Sequence, residues 1–239
     1  MTIKPRAITV CVEYDDLLAI TLPHTLPHVR EMLVVTSPYD TATVRLCDRF
    51  GVRVFQTEAF YENGAEFNKG AAMEQGFDVL GRRGWILIMD ADIVLPQNLD
   101  LSRVFRNRMW GCPRVFWDNP STWNGQPWDH LPLEKMGDVL GYFQLFHAGD
   151  VPGRPWYPTN YRSAATVDQW FGWKHFPYKG MYLCGQSVLH LGPPCGNWCG
   201  RTQPKLDGTI IPHAASRRAA LDAMVKRRMA KDPNAETLP

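Results

Sequence analysis

Asp90 and Asp92, two carboxylates one residue apart, close the apolar run Trp85-Ile86-Leu87-Ile88-Met89. Alternation along an extended chain puts residues i and i+2 on one side, so the pair can converge on a single hard divalent cation. Asp also favours turns, and Pro96 stops any helix nearby, so the same residues could instead cap the turn that follows. Cys195 and Cys199 lie near His190 at half the spacing of a zinc site, but no second Cys/His pair completes it. Gly196 and Gly200 give the segment around these cysteines the character of a mobile loop, with Arg201 at its edge as a phosphate ligand.

Such residues need a frame that brings them together. Residues 8–14 read as a strand running into Asp15-Asp16, which opens a loop or a helix, and residues 32–36 as a second strand closed by Ser37-Pro38-Tyr39-Asp40. A helix over 41–50 stopped by Gly51, a third strand over 52–55, and a helix over 68–80 stopped by Gly81 lead into the strand before Asp90. Strands alternating with helices point to βαβ units and a mostly parallel sheet. In such a sheet ligands bind beyond the carboxyl ends of the strands, where Asp90 and Asp92 would sit.

After Pro96 the pattern changes. Residues 110–160 are rich in Gly, Pro and Trp, including Trp117, Trp123, Trp128 and Trp156, with strands expected at 114–117 and 141–146. That stretch reads as an irregular, aromatic-rich lid or binding region. A helix over 167–175 with Thr166 available as its cap, strands at 181–183 and 187–190, and a last helix over 214–231 complete the chain. The last helix carries Leu221, Met224, Val225 and Met229 as an apolar stripe, with bases on its other face.

With 239 residues and 45% hydrophobic content the chain can bury one large core. The expected organisation is one domain over 1–205, its nucleotide half about 1–100 and its acceptor half about 101–205, followed by a basic helix and tail over 206–239. No apolar run is long enough to span a membrane, and the N-terminus lacks the apolar core of a signal peptide. Six scattered cysteines suit a reducing compartment, so the expected location is the cytoplasm. Net charge is only +2, yet residues 201–231 hold eight Lys/Arg against two acids, which confines the positive field to the C-terminal segment.

Taken in order, the motifs carry a resemblance. A βαβ start, Asp40 after the second strand, Asn68-Lys69-Gly70 opening a helix, Asp90-Ala91-Asp92 after a buried strand, Asp168 at a helix start and His190-Leu191-Gly192 after a late strand resemble the GT-A glycosyltransferases. The likeness is greatest to the family 2 inverting enzymes and covers roughly residues 7–200. It implies an α/β, Rossmann-like GT-A fold and a nucleotide-sugar donor, a UDP-sugar in the first instance. It also implies Mn²⁺ or Mg²⁺ held by Asp92 and Asp90 and completed by His190, with Asp90 on the ribose or reaching the metal through water. Asp168 becomes the base that takes the acceptor proton, although Val167 stands where a Glu is frequent in that family. Asp40 would bond the nucleoside, Glu13 or Tyr14 would line the base pocket, and Asn68 and Lys69 would open a helix whose N-terminus favours phosphate.

A sugar-1-phosphate nucleotidyltransferase would carry a Gly-rich phosphate loop after the first strand, which Glu13-Tyr14-Asp15-Asp16 is not. A catalytically silent sugar- or nucleotide-binding protein would use the aromatic region as a stacking surface. For the acceptor, the basic helix could grip a nucleic-acid backbone while tryptophans stack an extruded base, which makes a hydroxymethylated DNA base one candidate beside a saccharide or a protein.

Overall fold

The computed structural model describes residues 3–211 except 135, 136, 138, 184 and 194–196, so the basic helix expected over 214–231, and any nucleic-acid contact through it, lies outside the described residues. Strands β1 (Arg6–Val10), β2 (Glu31–Thr36), β3 (Arg53–Gln56) and β4 (Trp85–Met89) pair in parallel in the order β3-β2-β1-β4. The sheet continues through β8 (Phe143–His147), antiparallel to β4, then β6 (Met109–Gly111), and ends at β9 (Gly180–Tyr182), parallel to β6. Four of its six pairings are therefore parallel, as the alternating pattern of the first 95 residues requires.

Period-two alternation sorts the core onto the two faces of this sheet. Ile86 and Ile88 of β4 join Ile8, Leu33 and Val35 on one face, under Met73 and Phe77 of α3 (Lys69–Leu80) and Phe171 of α4 (Val167–His175). Leu87 and Met89 join Ala7 and Val34 on the other face, under Leu18 and Leu22 of α1 (Asp15–Thr25) and Leu46 of α2 (Thr41–Phe50). Each fully buried aliphatic or Phe side chain contributes roughly 1.5–3 kcal/mol, so this double layer holds the strand ends rigidly. Fully buried Arg6 donates to the carbonyls of Leu80, Gly81 and Arg83, tying the end of α3 to β1.

A second sheet, β5 (Ile93–Val94), β10 (Val188–Leu191) and β7 (Arg114–Trp117), packs beside the first. β10 runs antiparallel to β5 with His190 opposite Ile93, and Leu191 N donates to Asp92 O at 2.9 Å. That register sets His190 alongside Asp92.

Several expectations shift. The first strand ends at Val10 rather than residue 14, because Glu13 adopts φ +63 and turns the chain into α1, a helix the sequence marked only by its first two acids. Thr166 also has a positive φ and makes no side-chain cap to α4. Part of the aromatic region belongs to the core. Trp123 and Trp156 are buried, while Trp117 and Trp128 spend their indole N–H groups on Thr122 and Ser187. Cys11, Cys47 and Cys112 are buried thiols without disulfides, and burial pushes Cys47 and Cys112 up to about 12, which makes them inert. No helix among the described residues is long and apolar enough to cross a membrane.

Candidate active site

Strand order reverses at β1, with β2 on one side and β4 on the other, and the chain segments leaving the carboxyl ends of β1 and β4 flank the crevice this creates. After β4 the chain delivers Asp90 and Asp92 in a turn that β5 closes. Asp92 is buried beside His190, whose Nε2 lies 3.2 Å from Asp92 Oδ2. Asp92 Oδ1 and His190 Nδ1 are both buried and have no hydrogen-bond partner among the described residues. Two orphaned ligand-type atoms at a strand end are costly unless something satisfies them. No three His, Cys, Asp or Glu side chains among the described residues are grouped as a metal cluster.

Asp90 turns to Lys69. The Lys69 ammonium, buried at the start of α3, sits 3.0 Å from Asp90 Oδ1 and 2.8 Å from Asp168 Oδ2. Burial opposes the charge on Lys69, but Asp168 and Asp90 outweigh it and hold its pKa above the ordinary lysine value. Burial likewise opposes ionisation of Asp90, yet the charge and hydrogen bond of Lys69, with a smaller contribution from His190, keep it below the usual carboxylate range. Lys69 is thus not a solvated surface lysine; it clamps two carboxylates.

Asp168 is fixed from both sides. Its Oδ1 accepts from Tyr157 Oη at 2.9 Å, and its backbone carbonyl accepts from Gln144 Nε2 at 3.1 Å. Burial and Asp168 push Tyr157 well above its ordinary pKa, so it stays a donor. A Cβ on Gly141 would lie 2.1 Å from the Asp168 carboxyl group, and one on Gly70 would lie 2.0 Å from Pro158 O, so both close approaches need glycine.

The remaining expected donor ligands have structural duties. Asp40 is buried as the N-cap of α2, its carboxylate taking bonds from Thr43 N, Thr43 Oγ1, Thr36 Oγ1 and Glu13 N. Asn68 caps α3 through Ala71 N and donates to Thr159 O. Arg201 pairs with both oxygens of Asp16 and donates to Glu13 O at 2.9 Å, with its guanidinium 4.9 Å from the Tyr14 ring centroid. Lys205 pairs with Asp15, so the 201–206 segment is strapped to the start of α1. Under that strap lies a cavity of about 330 Å³ lined by Tyr14, Asp92, His190, Asn119, Arg201 and Lys205 among others. Lys69, Asp90 and Asp168 are not part of its lining.

Sequence reasoning missed Tyr157, Gln144 and Asp16. Gln144, a carboxamide inside the apolar strand Phe143-Gln144-Leu145-Phe146, was a readable anomaly; Tyr157 and Asp16 carried no comparable signal.

The sheet order is that of the GT-A-type glycosyltransferase fold. All of this chain superposes on 67% of a mannosyltransferase from Pyrobaculum calidifontis solved with GDP-mannose and Mn²⁺, with a TM-score of 0.54 and 14% identity. Weaker likenesses are to mannosyl-3-phosphoglycerate synthase from Rubrobacter xylanophilus (TM-score 0.48, 14% identity, 99% of this chain and 77% of that one) and glucosyl-3-phosphoglycerate synthase from Mycobacterium tuberculosis (0.46, 10%, 98% and 81%). No protein-family model and no curated protein sequence matches this chain.

Proposed function

We propose that this chain is a metal-dependent glycosyltransferase that moves a sugar from a nucleotide-sugar, a UDP-sugar in the first instance, to an acceptor hydroxyl with inversion. The observation that carries the reading is the pair of orphaned buried atoms, Asp92 Oδ1 and His190 Nδ1, in the same strand-end turn as Asp90, which Lys69 ties to Asp168. A carboxylate and an imidazole make an incomplete protein shell. This fits a cation that takes its other ligands from substrate phosphates, and the imidazole favours Mn²⁺ over Mg²⁺. A bound Mn²⁺ would neutralise the pyrophosphate as it leaves.

The chain's own groups supply the rest. Asp168 takes the proton of the acceptor hydroxyl while that oxygen bonds to the anomeric carbon. The anomeric carbon–phosphate oxygen bond breaks with its electron pair, and a nucleoside diphosphate departs. Lys69 and Tyr157 each occupy one lone pair of the Asp168 carboxylate and leave others for the proton. Attack from the face opposite the leaving group inverts the anomeric centre. Tyr14, stacked by Arg201 at the cavity wall, lines the nucleotide side.

The test is release of nucleoside diphosphate from UDP-glucose and from GDP-mannose, with Mn²⁺, with Mg²⁺ and with EDTA. Turnover of at least one donor that requires the cation supports the reading. Failure of both donors to bind or turn over with either cation overturns it.

A further inference from the structure

Gln144, the carboxamide inside the apolar strand β8, is fully buried, and so is Tyr157. Gln144 Nε2 donates to two backbone carbonyls, Val139 O and Asp168 O, each at 3.1 Å. A carboxamide whose two N–H groups are placed in this way turns its oxygen to the remaining side, and there Oε1 lies 3.2 Å from Tyr157 Oη. The same Oη lies 2.9 Å from Asp168 Oδ1. A phenol carries one proton and here has two acceptors, so it serves one of them at a time.

Charge decides which acceptor wins. A hydrogen bond to an ionised carboxylate is about twice as strong as a neutral one, and the shorter distance is on that side, so Tyr157 donates to Asp168 while Asp168 is ionised. A protonated Asp168 gives up that advantage. The hydroxyl hydrogen then turns about the Tyr157 Cζ–Oη bond to Gln144 Oε1, with no bond to Tyr157 broken. The ring stays in place, stacked on Phe171 of α4 with centroids 4.9 Å apart and planes at 17°. Tyr157 keeps its proton throughout, since burial and the Asp168 charge both oppose its ionisation. The charged groups around the pair are Lys69 on the other Asp168 oxygen, Asp90 behind Lys69, and Glu74, which accepts from Tyr157 N at 2.6 Å and pairs with Arg82 at 2.7 Å.

We infer that Tyr157 and Gln144 are positioning residues for the base: Tyr157 gives its hydroxyl hydrogen to Asp168 before proton transfer and to Gln144 after it, so each protonation state of Asp168 has a satisfied neighbour. The inference rests on the reading of Asp168 as the base and deepens it. The proton that leaves the attacking hydroxyl ends on Asp168, and the electron pair of that O–H bond goes into the bond to the anomeric carbon. Tyr157 returns to Asp168 when solvent takes the proton away.

The experiment follows the Asp168 carboxyl carbon by ¹³C NMR through a pH titration of the metal-free whole chain, the resonance being the one missing from Asp168→Asn. Tyr157→Phe keeps the ring against Phe171 and removes a donor to the charged form, so the midpoint should rise by about one unit or more. Gln144→Leu removes the acceptor that serves the neutral form, so the midpoint should fall. Loosened packing would not move the two variants in opposite directions. Thermal melts accompany both, and Gln144→Met, which keeps the length of the side chain, replaces Gln144→Leu if the latter does not fold. A midpoint unmoved by Tyr157→Phe overturns the inference, as does one that the Gln144 variant raises or leaves unchanged. Hydrolysis of UDP-glucose and GDP-mannose with Mn²⁺ scores the base reading separately. Opposite midpoint shifts with hydrolysis indifferent to Asp168→Asn remove Asp168 as the base and leave the shared proton in place; hydrolysis lost in Asp168→Asn with unmoved midpoints keeps the base and sinks the sharing alone.

Discussion

Asp92 and His190 each bury an atom with no hydrogen-bond partner among the described residues, and that pair concentrates the proposed chemistry into two side chains. Asp92→Ala should leave the fold intact while metal-dependent donor turnover falls by at least ~100-fold, the scale of a lost electrostatic contact to the leaving group. Initial rates across a Mn²⁺ titration check this, and near wild-type turnover in EDTA would remove the site. Asp168→Asn preserves size and most hydrogen bonds but cannot take a proton. Transfer to the acceptor should drop roughly 10²–10⁴-fold while calorimetric donor affinity stays nearly constant. Donor affinity lost in proportion to rate would instead make Asp168 a donor-side or structural residue.

At the scale of elements, the site depends on how closely α3, α4 and the β8 region approach one another. Gly141 lies where any side chain would enter the Asp168 carboxyl group, and Gly70 where one would enter the Pro158 carbonyl. Within α3, Gly70→Ala gains at most about 1 kcal/mol of helix propensity. Against this stands a backbone clash that no rotamer relieves, and overpacking typically costs about 1–3 kcal/mol. The clash should win. We expect Gly70→Ala to lower the thermal midpoint and to reduce transfer, because α3 and Lys69 are pushed away from Asp168. Gly141→Ala should lower transfer more than it lowers stability, since it meets a side chain rather than backbone. Thermal melts and acceptor kinetics on the two variants check this, and an unperturbed Gly70→Ala melt would contradict the packing argument.

Across the whole molecule, Lys69 joins the turn after β4 to the start of α4 through one buried ammonium. Lys69→Met strands the largely buried Asp168 carboxylate. Breaking a buried pair costs about 3–5 kcal/mol, and the 40% exposure of the Asp90 side chain argues for the low end. The pH dependence follows from the shifts. The folded-state pKa of Asp90 is depressed, so its contribution is full above the unfolded value of about 3.9 and lost as pH falls through the folded value. That of Lys69 is raised, so its contribution is full below about 10.4 and lost as pH rises through the folded value. Metal-free urea midpoints should therefore differ between wild type and Lys69→Met at pH 7, and the gap should narrow at pH 3. A gap of equal size at both pH values would mean that Lys69 acts by packing rather than by charge.

Local pattern was enough to read the frame. Apolar runs with alternation, glycine stops at Gly51 and Gly81, and Asn68 before α3 define elements that form where expected, because hydrophobic period and end chemistry act within a few residues of chain. The pairing of Asp90 and Asp92 at a strand end was legible for the same reason. Partner choice was not. Lys69 reads as a helix-start lysine, Asp40 as a loop acid and Arg201 as a loop base, whereas the fold makes them a carboxylate clamp, a helix cap and a strap anchor. Those roles depend on residues 21 to 188 positions away for Lys69 and Arg201, and on the turn at Glu13 for Asp40. The sequence marked only the start of α1, because Pro23 lies inside it and its apolar residues are not concentrated on one face, and in the fold its Leu18 and Leu22 pack with Leu87 and Met89 of β4 and Ile93 of β5. Sequence determined the sheet and the acids at its edge; tertiary contact decided which of those charges meet each other and which remain for a ligand, because burial removes the water that would otherwise satisfy them all.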